Sequence, residues 1–388
     1  MRIGLFGGSF DPVHIEHVNL VKNAIDCLAL DKLIVLPAHT PPHKRGKTLT
    51  LDETRLELCR LAFSGLEKVE VSGYEIEKGG VSYTFETCQY FRSLYPTAQL
   101  FWFVGTDMLR DFPTWKNPDK ILELVTLAVC ARAEKGEWLK KEKEKFFRLF
   151  KKEFALIDYE GKELSSTKIR VLAAAGEDIT EFVGEKVAKY IKEKELYEIK
   201  GAFEALALEK SSRKEHSIRV AEMAVKRAPS LGIPERLAIT AALFHDCAKN
   251  LEKSSLYLKG FQVAQDVPAP VVHQFAGAYV AEKAFGVKDE DVLNAIRYHT
   301  SGRANMSALE RLIFLSDMLE DGRDYDVVEK LRALFWDKTD DLTVCMAVAL
   351  QESLRFLKEK NVPVYELTVQ AEQYYNRFIG ERYGRNYE

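Results

Sequence analysis

The sequence lacks any Cys-x-x-Cys pair. Its six cysteines are scattered along the chain, at Cys27, Cys59, Cys88, Cys130, Cys247 and Cys345. This spacing argues against a disulfide scaffold or a zinc ribbon, and it favours reduced thiols in a cytoplasmic protein.

Long apolar runs are also absent. No run approaches the roughly 18–20 residues that a membrane span needs. The first apolar run, Ile3–Phe6, is far shorter than the apolar core of a signal peptide. We therefore expect a soluble cytoplasmic protein with no membrane partner.

A large net charge is the third missing feature. The 388 residues carry a formal net charge of -3, which gives no basis for nonspecific binding of nucleic acid. Any anionic substrate must therefore be held by local positive groups. The hydrophobic content of 46% is ordinary for a globular protein, and the length predicts two or three domains.

The chain divides into two halves of different pattern. Before about residue 199, apolar runs alternate with helical stretches, which predicts an α/β domain with a mostly parallel sheet. The strands are predicted at Arg2–Phe6, Lys32–Leu36, Val69–Val71, Leu100–Val104 and Val125–Ala131. From residue 200 to residue 388 only helical spacing remains, so the second domain is predicted to be all-α. The polar segment Glu193–Lys200 is the predicted boundary.

A glycine-rich turn follows the first predicted strand. The segment Gly7–His17 reads GGSFDPVHIEH and leads into a helix. Small residues let the backbone approach a ligand, and the N–H groups at a helix start favour phosphate. Since His14 and His17 are three residues apart, both rings can point the same way and donate hydrogen bonds to a triphosphate.

The segment Ser165–Arg170 places three hydroxyls before another predicted helix. Taken alone, it favours an ordinary N-cap. Together with the glycine-rich turn it resembles the nucleotidylyltransferase superfamily, whose H-x-G-H and S-S-T-x-I-R motifs hold ATP from two sides. The resemblance implies a Rossmann-like nucleotidylyltransferase fold.

The resemblance narrows to the bacterial nicotinate-mononucleotide adenylyltransferases over residues 1–198. It is carried by GGSFDP and by the segments Pro41–Lys44, Ser82–Thr84, Gly105–Asp107 and Phe112–Trp115. It implies that ATP and nicotinate mononucleotide, with Mg²⁺, give deamido-NAD and pyrophosphate. The alternative is another small-substrate adenylyl- or cytidylyltransferase, such as a pantetheine-phosphate type, although an aromatic residue at Trp115 suits stacking on a pyridine ring.

The same resemblance implies roles for individual residues. Those implied for ATP are Gly8, Ser9, Phe10, His14, His17, Ser166, Thr167 and Arg170, of which His17 and Arg170 would be catalytic. Those implied for the mononucleotide are His43, Lys44, Thr84, Asp107 and Trp115. Glu16 stands where the superfamily motif has glycine. Because an inward carboxylate would repel phosphate, we expect Glu16 to face solvent.

The second half concentrates metal-binding residue types. Four histidines and two aspartates lie on helical segments with few other polar residues: His216, His245, Asp246, His273, His299 and Asp317. Imidazole and carboxylate together suit Fe, Mn, Zn or Co, and such a metal can acidify a bound water.

The order of these residues resembles the HD superfamily of metal-dependent phosphohydrolases. Over residues 205–370, the segments His245–Lys249, Ala295–Gly302 and Phe314–Asp317 are similar to the YqeK-type hydrolases, which split diadenosine tetraphosphate into two ADP. The resemblance implies a metal core of His216, His245, Asp246 and Asp317, with Asp246 catalytic. It implies a second metal or phosphate at His273 and His299, and substrate contacts from Lys249, Thr300 and Arg303.

Several alternatives stay open at this point. The all-α half could be a nucleotidase or phosphodiesterase of another specificity, or a nucleotide-sensing module with degenerate sites. Seven of the eight histidines fall in the motifs above, and His39 is the exception, which favours enzymatic use of both halves. The sequence leaves open a homo-oligomer and the choice between nicotinate and nicotinamide mononucleotide.

Overall fold

The computed structural model describes residues 1–42, 49–131 and 136–383, with side chains to residue 378. They form two compact units. The first comprises Met1–Ile169 and Ile179–Leu196, and the second comprises Arg170–Asp178 and the chain from Tyr197. The predicted α/β domain followed by an all-α domain is confirmed.

A parallel sheet forms the centre of the first unit. Within the described residues its strands are β1 (Arg2–Gly8), β2 (Lys32–Pro37), β3 (Val69–Val71), β4 (Gln99–Gly105), β5 (Thr126–Ala131) and β6 (Ala155–Asp158). All neighbours pair in parallel, in the order β3-β2-β1-β4-β5-β6. The central strands are continuous apolar runs because helices cover both faces of such a sheet.

Helices connect the strands of the first unit. They are α1 (Ile15–Cys27), α2 (Asp52–Phe63), α3 (Tyr74–Lys78), α4 (Thr84–Leu94), α5 (Thr106–Asp111), α6 (Pro118–Leu124), α7 (Glu137–Phe150), α8 (Ser166–Ala174), α9 (Thr180–Val183) and α10 (Glu185–Glu193). The residues of α8 from Arg170 onward belong to the second unit. Leu100, Trp102, Val104, Leu127 and Val129 of the sheet form one apolar core with residues of these helices.

The second unit is helical throughout its described residues. Its helices are α11 (Ala202–Ala207), α12 (Ser211–Arg227), α13 (Glu235–Phe244), α14 (Val272–Lys283), α15 (Glu290–Arg297), α16 (Ala308–Leu319), α17 (Val328–Trp336), α18 (Thr343–Glu359) and α19 (Glu366–Tyr383). A separate apolar core joins them. Because α12 to α16 pack around this core, their polar residues can meet in its interior.

The absences noted in the sequence have structural counterparts. The six cysteines are free, and all but Cys27 are buried. Of the helices in the described ranges, none has the length and apolarity needed to cross a membrane.

Candidate active sites

The strand order of the first unit creates a crevice for a ligand. The order reverses between β1 and β4, and ligands of such sheets bind outside the carboxyl ends of the strands at this point. Gly8 ends β1 there, and Gly105 ends β4. A Cβ on Gly8 would lie 2.9 Å from the ring of Phe10, so only glycine fits without displacing that ring.

Two stacked histidines lie where the loop after β1 enters α1. His14 is the N-cap of the helix, and its ring stacks on that of His17 with centroids 3.7 Å apart. The two rings are therefore stacked and point the same way, as their spacing of three residues predicts. The backbone N–H of His14 donates to Nδ1 of His17, at 3.2 Å. Neutral His17 consequently carries its proton on Nε2, which makes that nitrogen a donor suited to phosphate.

A buried arginine anchors the same loop. The guanidinium of Arg55 is fully buried and donates to the carbonyl oxygens of Ser9, at 2.7 Å, and Thr50, at 2.9 Å. The N–H of Thr50 in turn donates to the carboxylate of Asp11. The loop is thus held in place before any ligand arrives. Sequence reasoning missed Arg55, because nothing near it in the chain marks it as a loop contact.

The expectation that Glu16 faces solvent is wrong. Its side chain is only 3% exposed, and its carboxylate accepts hydrogen bonds from Tyr159 and from the backbone N–H of Lys162. These two donors satisfy the carboxylate inside the protein. Because they follow β6, far along the chain, no local pattern around Glu16 reveals them.

Ser166 joins the segment Ser165–Arg170 to the loop after β1. Ser166 donates from its hydroxyl to the carbonyl oxygen of Pro12, at 2.8 Å. Ser165 accepts from the N–H of Lys168, which is the N-cap that the residues alone favour. Thr167 lies in the first turn of α8.

Arg170 has a different environment from the one its predicted role requires. It belongs to the second unit, where its guanidinium makes a two-point ion pair with Glu235, at 2.5 and 2.7 Å. The predicted contact of Arg170 with ATP stays a prediction.

A cavity of about 500 Å³ lies beside the crevice. Its walls include Gly8 and Ser9 from the loop, together with the predicted mononucleotide residues Thr84 and Trp115. Asp107 lies in the first turn of α5 and is not among the described residues of the wall. The predicted residues His43 and Lys44 lie outside the described residues.

One carboxyl group in the cavity wall was missed in the sequence. Glu75 is buried and accepts a hydrogen bond from the hydroxyl of Thr87, at 2.7 Å. Burial raises the pKa of Glu75 above its ordinary value. Nothing about the position of Glu75 in the short helix α3 indicates that it lines a cavity.

The predicted metal-binding residues of the second unit converge. Nε2 of His216 lies 2.9 Å from Oδ1 of Asp317, and Nε2 of His245 lies 4.0 Å from the same oxygen. Nε2 of His299 lies 3.4 Å from Oδ1 of Asp246. The set forms two overlapping groups that share His245, with the ligand atoms of each within 4.8 Å of one another.

Each of three histidines is anchored through Nδ1. Nδ1 of His245 donates to the carbonyl oxygen of Ala242, at 2.6 Å, and Nδ1 of His299 donates to that of Ile296, at 2.8 Å. Nδ1 of His216 lies 3.1 Å from the carboxylate of Glu320. With the proton on Nδ1, the lone pair of Nε2 points toward the cluster, which is the arrangement that metal-binding imidazoles need.

Burial and charge set the ionisation of this cluster. Burial lowers the pKa of His245 to about 4 and that of His273 to about 3, so both rings are neutral near pH 7. Burial opposes ionisation of Asp246, but the neighbouring His245 and His299 hold its pKa well below the ordinary value. The proximity of His216, whose Nε2 lies 2.9 Å from Oδ1 of Asp317, likewise holds the pKa of Asp317 below its ordinary value against the effect of burial.

These observations fit a divalent metal. Within the described chain, the buried Nε2 of His245 makes no hydrogen bond, although a buried polar atom normally finds a partner. Neutral imidazoles and ionised carboxylates are the donor set that transition metals bind. Two groups of residues could hold the ion: His216, His245 and Asp317, and His245, Asp246 and His299. The predicted core of His216, His245, Asp246 and Asp317 combines members of both groups and stays a prediction.

Cationic side chains surround the two aspartates. A guanidinium nitrogen of Arg213 lies 3.0 Å from Asp246, and Nζ of Lys249 lies 3.3 Å from it. Arg323 contacts Asp317 at 2.8 Å. Arg213 was missed in the sequence, although it precedes His216 by three residues and so shares its helix face.

The remaining predicted residues divide into two sets. His273 lies near the cluster, with its Nε2 3.2 Å from that of His299 and 3.1 Å from the hydroxyl of Thr300. Arg303 instead makes a two-point ion pair with Glu310, at 2.7 and 2.9 Å. Its predicted substrate contact therefore stays a prediction.

Comparison with known proteins finds a different family model in each half of the chain. Residues 5–172 match the cytidylyltransferase-like family model, and residues 213–322 match the HD domain model. A probable nicotinate-nucleotide adenylyltransferase of Clostridium tetani is 36% identical over 50% of this chain and 97% of its own length. The chain belongs to the nicotinate-nucleotide adenylyltransferase family.

A further relative matches most of this chain. A Mycoplasma pneumoniae protein named probable nicotinate-nucleotide adenylyltransferase/Ap4A hydrolase is 28% identical over 90% of this chain and 94% of its own. A solved HD superfamily hydrolase of Clostridium acetobutylicum, described as involved in NAD metabolism, is 29% identical and covers 46% of this chain and 95% of its own, with a TM-score of 0.40.

Glu320 is the residue to test for control of the metal site. Its buried carboxylate holds Nδ1 of His216 and also accepts from Arg219 and from the N–H of Gly322. We expect Glu320→Ala to weaken Mn²⁺ binding by about 10- to 100-fold, because His216 loses the group that orients it. Calorimetric titration measures this change. The exposed Glu215→Ala is the control, and equal affinities in the two variants contradict the role.

Proposed function

We propose that this protein is a bifunctional nucleotide enzyme. Its first unit transfers the adenylyl group of MgATP to nicotinate mononucleotide and releases pyrophosphate. The observation that carries this proposal is the stacked pair His14 and His17 at the edge of the sheet, joined to the Ser166 segment through Pro12. The adjacent cavity, with Trp115 in its wall, supplies an apolar surface for a pyridine ring.

The transfer needs no nucleophile from the protein. A phosphate oxygen of the mononucleotide attacks the α-phosphorus of ATP, and the bond to the departing pyrophosphate breaks. His14 and His17 hold the phosphates in line, and Nε2–H of His17 donates to the charge that develops on pyrophosphate. Arg170 is predicted from its motif to bind the same phosphates, and in the structure its guanidinium is paired with Glu235.

The second unit, in this proposal, hydrolyses diadenosine tetraphosphate symmetrically to two ADP. When bound, a metal ion (Fe, Mn, Co or Zn) supplies the charge that acidifies a water molecule. The anchored rings of His216 and His245 hold their lone pairs toward that position. Arg213, Lys249 and Thr300, at the rim of the cluster, suit the phosphates of the substrate. The names of the Mycoplasma relatives support this substrate.

A substrate panel tests both activities at once. Purified protein is incubated with MgATP and either nicotinate or nicotinamide mononucleotide, and separately with diadenosine tetraphosphate. Chromatography should show deamido-NAD from the nicotinate substrate and ADP alone from the tetraphosphate. Formation of ATP plus AMP rules out symmetrical hydrolysis. Activity confined to nucleoside monophosphates or cyclic nucleotides instead indicates the nucleotidase or phosphodiesterase alternative.

His17→Ala tests the transfer site. Loss of one preorganised donor to a developing charge lowers the rate by about 10²–10³. We expect that decrease in kcat for deamido-NAD formation. Hydrolysis of diadenosine tetraphosphate by the same preparation should be unchanged, which controls for folding. Wild-type transfer kinetics in this variant would refute the assigned role.

Asp246→Ala is the converse test, which should affect hydrolysis and leave adenylyl transfer intact. The variant should lose hydrolysis of diadenosine tetraphosphate, because Asp246 lies within reach of His245, His273 and His299. Treatment with a chelator followed by removal of the chelator should abolish the same activity, and added Mn²⁺ should restore it. Adenylyl transfer assayed with fresh MgATP should remain. Hydrolysis that survives both treatments contradicts a metal-dependent site at this cluster.

A further inference from the structure

Glu16 makes an unusual use of a carboxylate beside a phosphate site. It lies in the first turn of α1, between His14 and His17, and is 3% exposed. Its Oε2 accepts from the hydroxyl of Tyr159, at 2.7 Å, and from the N–H of Lys162, at 2.9 Å. Two hydrogen-bond donors hold this buried carboxylate in one orientation, whereas a solvent-exposed carboxylate would rotate freely.

Both donors lie on the segment between β6 and α8. That segment runs from Tyr159 to Ser165 and delivers Ser166 to its place. A Cβ on Gly161 would lie 2.6 Å from Oε2 of Glu16, so glycine lets the backbone pass close to the carboxylate. Glu16 therefore contacts this segment at three places: the hydroxyl of Tyr159, the backbone N–H of Lys162 and the backbone at Gly161.

A second link joins the same two parts of the chain. Ser166 donates to the carbonyl oxygen of Pro12, at 2.8 Å. The loop that carries His14 is thus tied to the 159–166 segment on both sides of that histidine, once before it at Pro12 and once after it at Glu16. Two separated links define a distance and an orientation, whereas one link leaves rotation free.

We infer that Glu16 is a positioning residue for adenylyl transfer, which sets the spacing between the two ATP-binding segments by holding Tyr159 and Lys162. The inference rests on the proposed transfer activity. The two hydrogen bonds also direct the negative charge of Glu16 toward its own donors, and the start of α1 favours a carboxylate. This accounts for an acidic residue between two histidines that bind phosphate.

Glu16→Ala is the direct test. A misplacement of about 1 Å can cost about 10² in rate, so we expect kcat/KM for MgATP to fall by about 10- to 100-fold. The KM for nicotinate mononucleotide should change by less than about threefold, because Glu16 is not among the described residues that line the cavity. Glu16→Gln keeps one acceptor oxygen and should recover part of the loss. Glu137→Ala, in the exposed first turn of α7, is the matched control.

Two further measurements separate positioning from general destabilisation. Amide hydrogen exchange of residues 159–165 should be faster in Glu16→Ala, while exchange in β1 and β4 stays as in the wild type. Gly161→Ala keeps Glu16 but pushes on its carboxylate, and it should reproduce the loss for MgATP. If Glu16→Ala does not fold, Gly161→Ala and Glu16→Gln carry the test.

The possible results distinguish failure of the proposed transfer activity from failure of the role inferred for Glu16. If the wild type forms no deamido-NAD, the proposed transfer fails, while calorimetric binding of MgATP and hydrogen exchange still test the role of Glu16. Wild-type kinetics for MgATP in Glu16→Ala, or unchanged exchange at residues 159–165, overturns the inference. An equal loss in Glu137→Ala also overturns it, because the effect is then not specific to the buried carboxylate.

Discussion

Both units depend on hydrogen bonds that hold one nitrogen of a histidine ring and so decide what the other nitrogen can bind. In the first unit, Nδ1 of His17 accepts a backbone N–H, which leaves the proton on Nε2 for an anion. In the second unit, Nδ1 of His245 and His299 donates to backbone carbonyls, which leaves lone pairs on Nε2 for a cation. The same residue type is therefore suited to opposite charges, because its local partner differs.

Each site also has to compensate buried carboxylates. Asp246 is paired with Arg213 and Lys249, and Asp317 is paired with Arg323, so cationic side chains offset both carboxylates. Burying ionised groups is costly unless they are paired, and these ion pairs meet that requirement in the second unit. Glu16 in the first unit is compensated differently, by two hydrogen-bond donors and the start of a helix.

Much of the architecture could be predicted from patterns along the chain. The buried central strands are apolar runs, and all five predicted strands are present within a few residues of their predicted bounds. Strand β6 was missed because its apolar part, residues 155–157, is only three residues long. In the second unit, Val328, Leu331 and Phe335 of α17 follow helical spacing and are buried, in line with the predicted all-α domain. Short helices such as α5 carry too few residues to show a period.

The sequence by itself determined which residue types are available and which of them share a strand end or a helix face. That was enough for the two fold classes and for the His14 and His17 pair, since these depend on local spacing. The predicted metal-binding set came instead from the resemblance of the residue order to a known superfamily, because its members lie on different helices. Only the tertiary structure decided where long side chains point. Glu16 turns toward Tyr159, Arg170 pairs with Glu235, and Glu320 orients His216, because each partner comes from a distant part of the chain. Such pairings depend on how helices and loops pack, which no local pattern records.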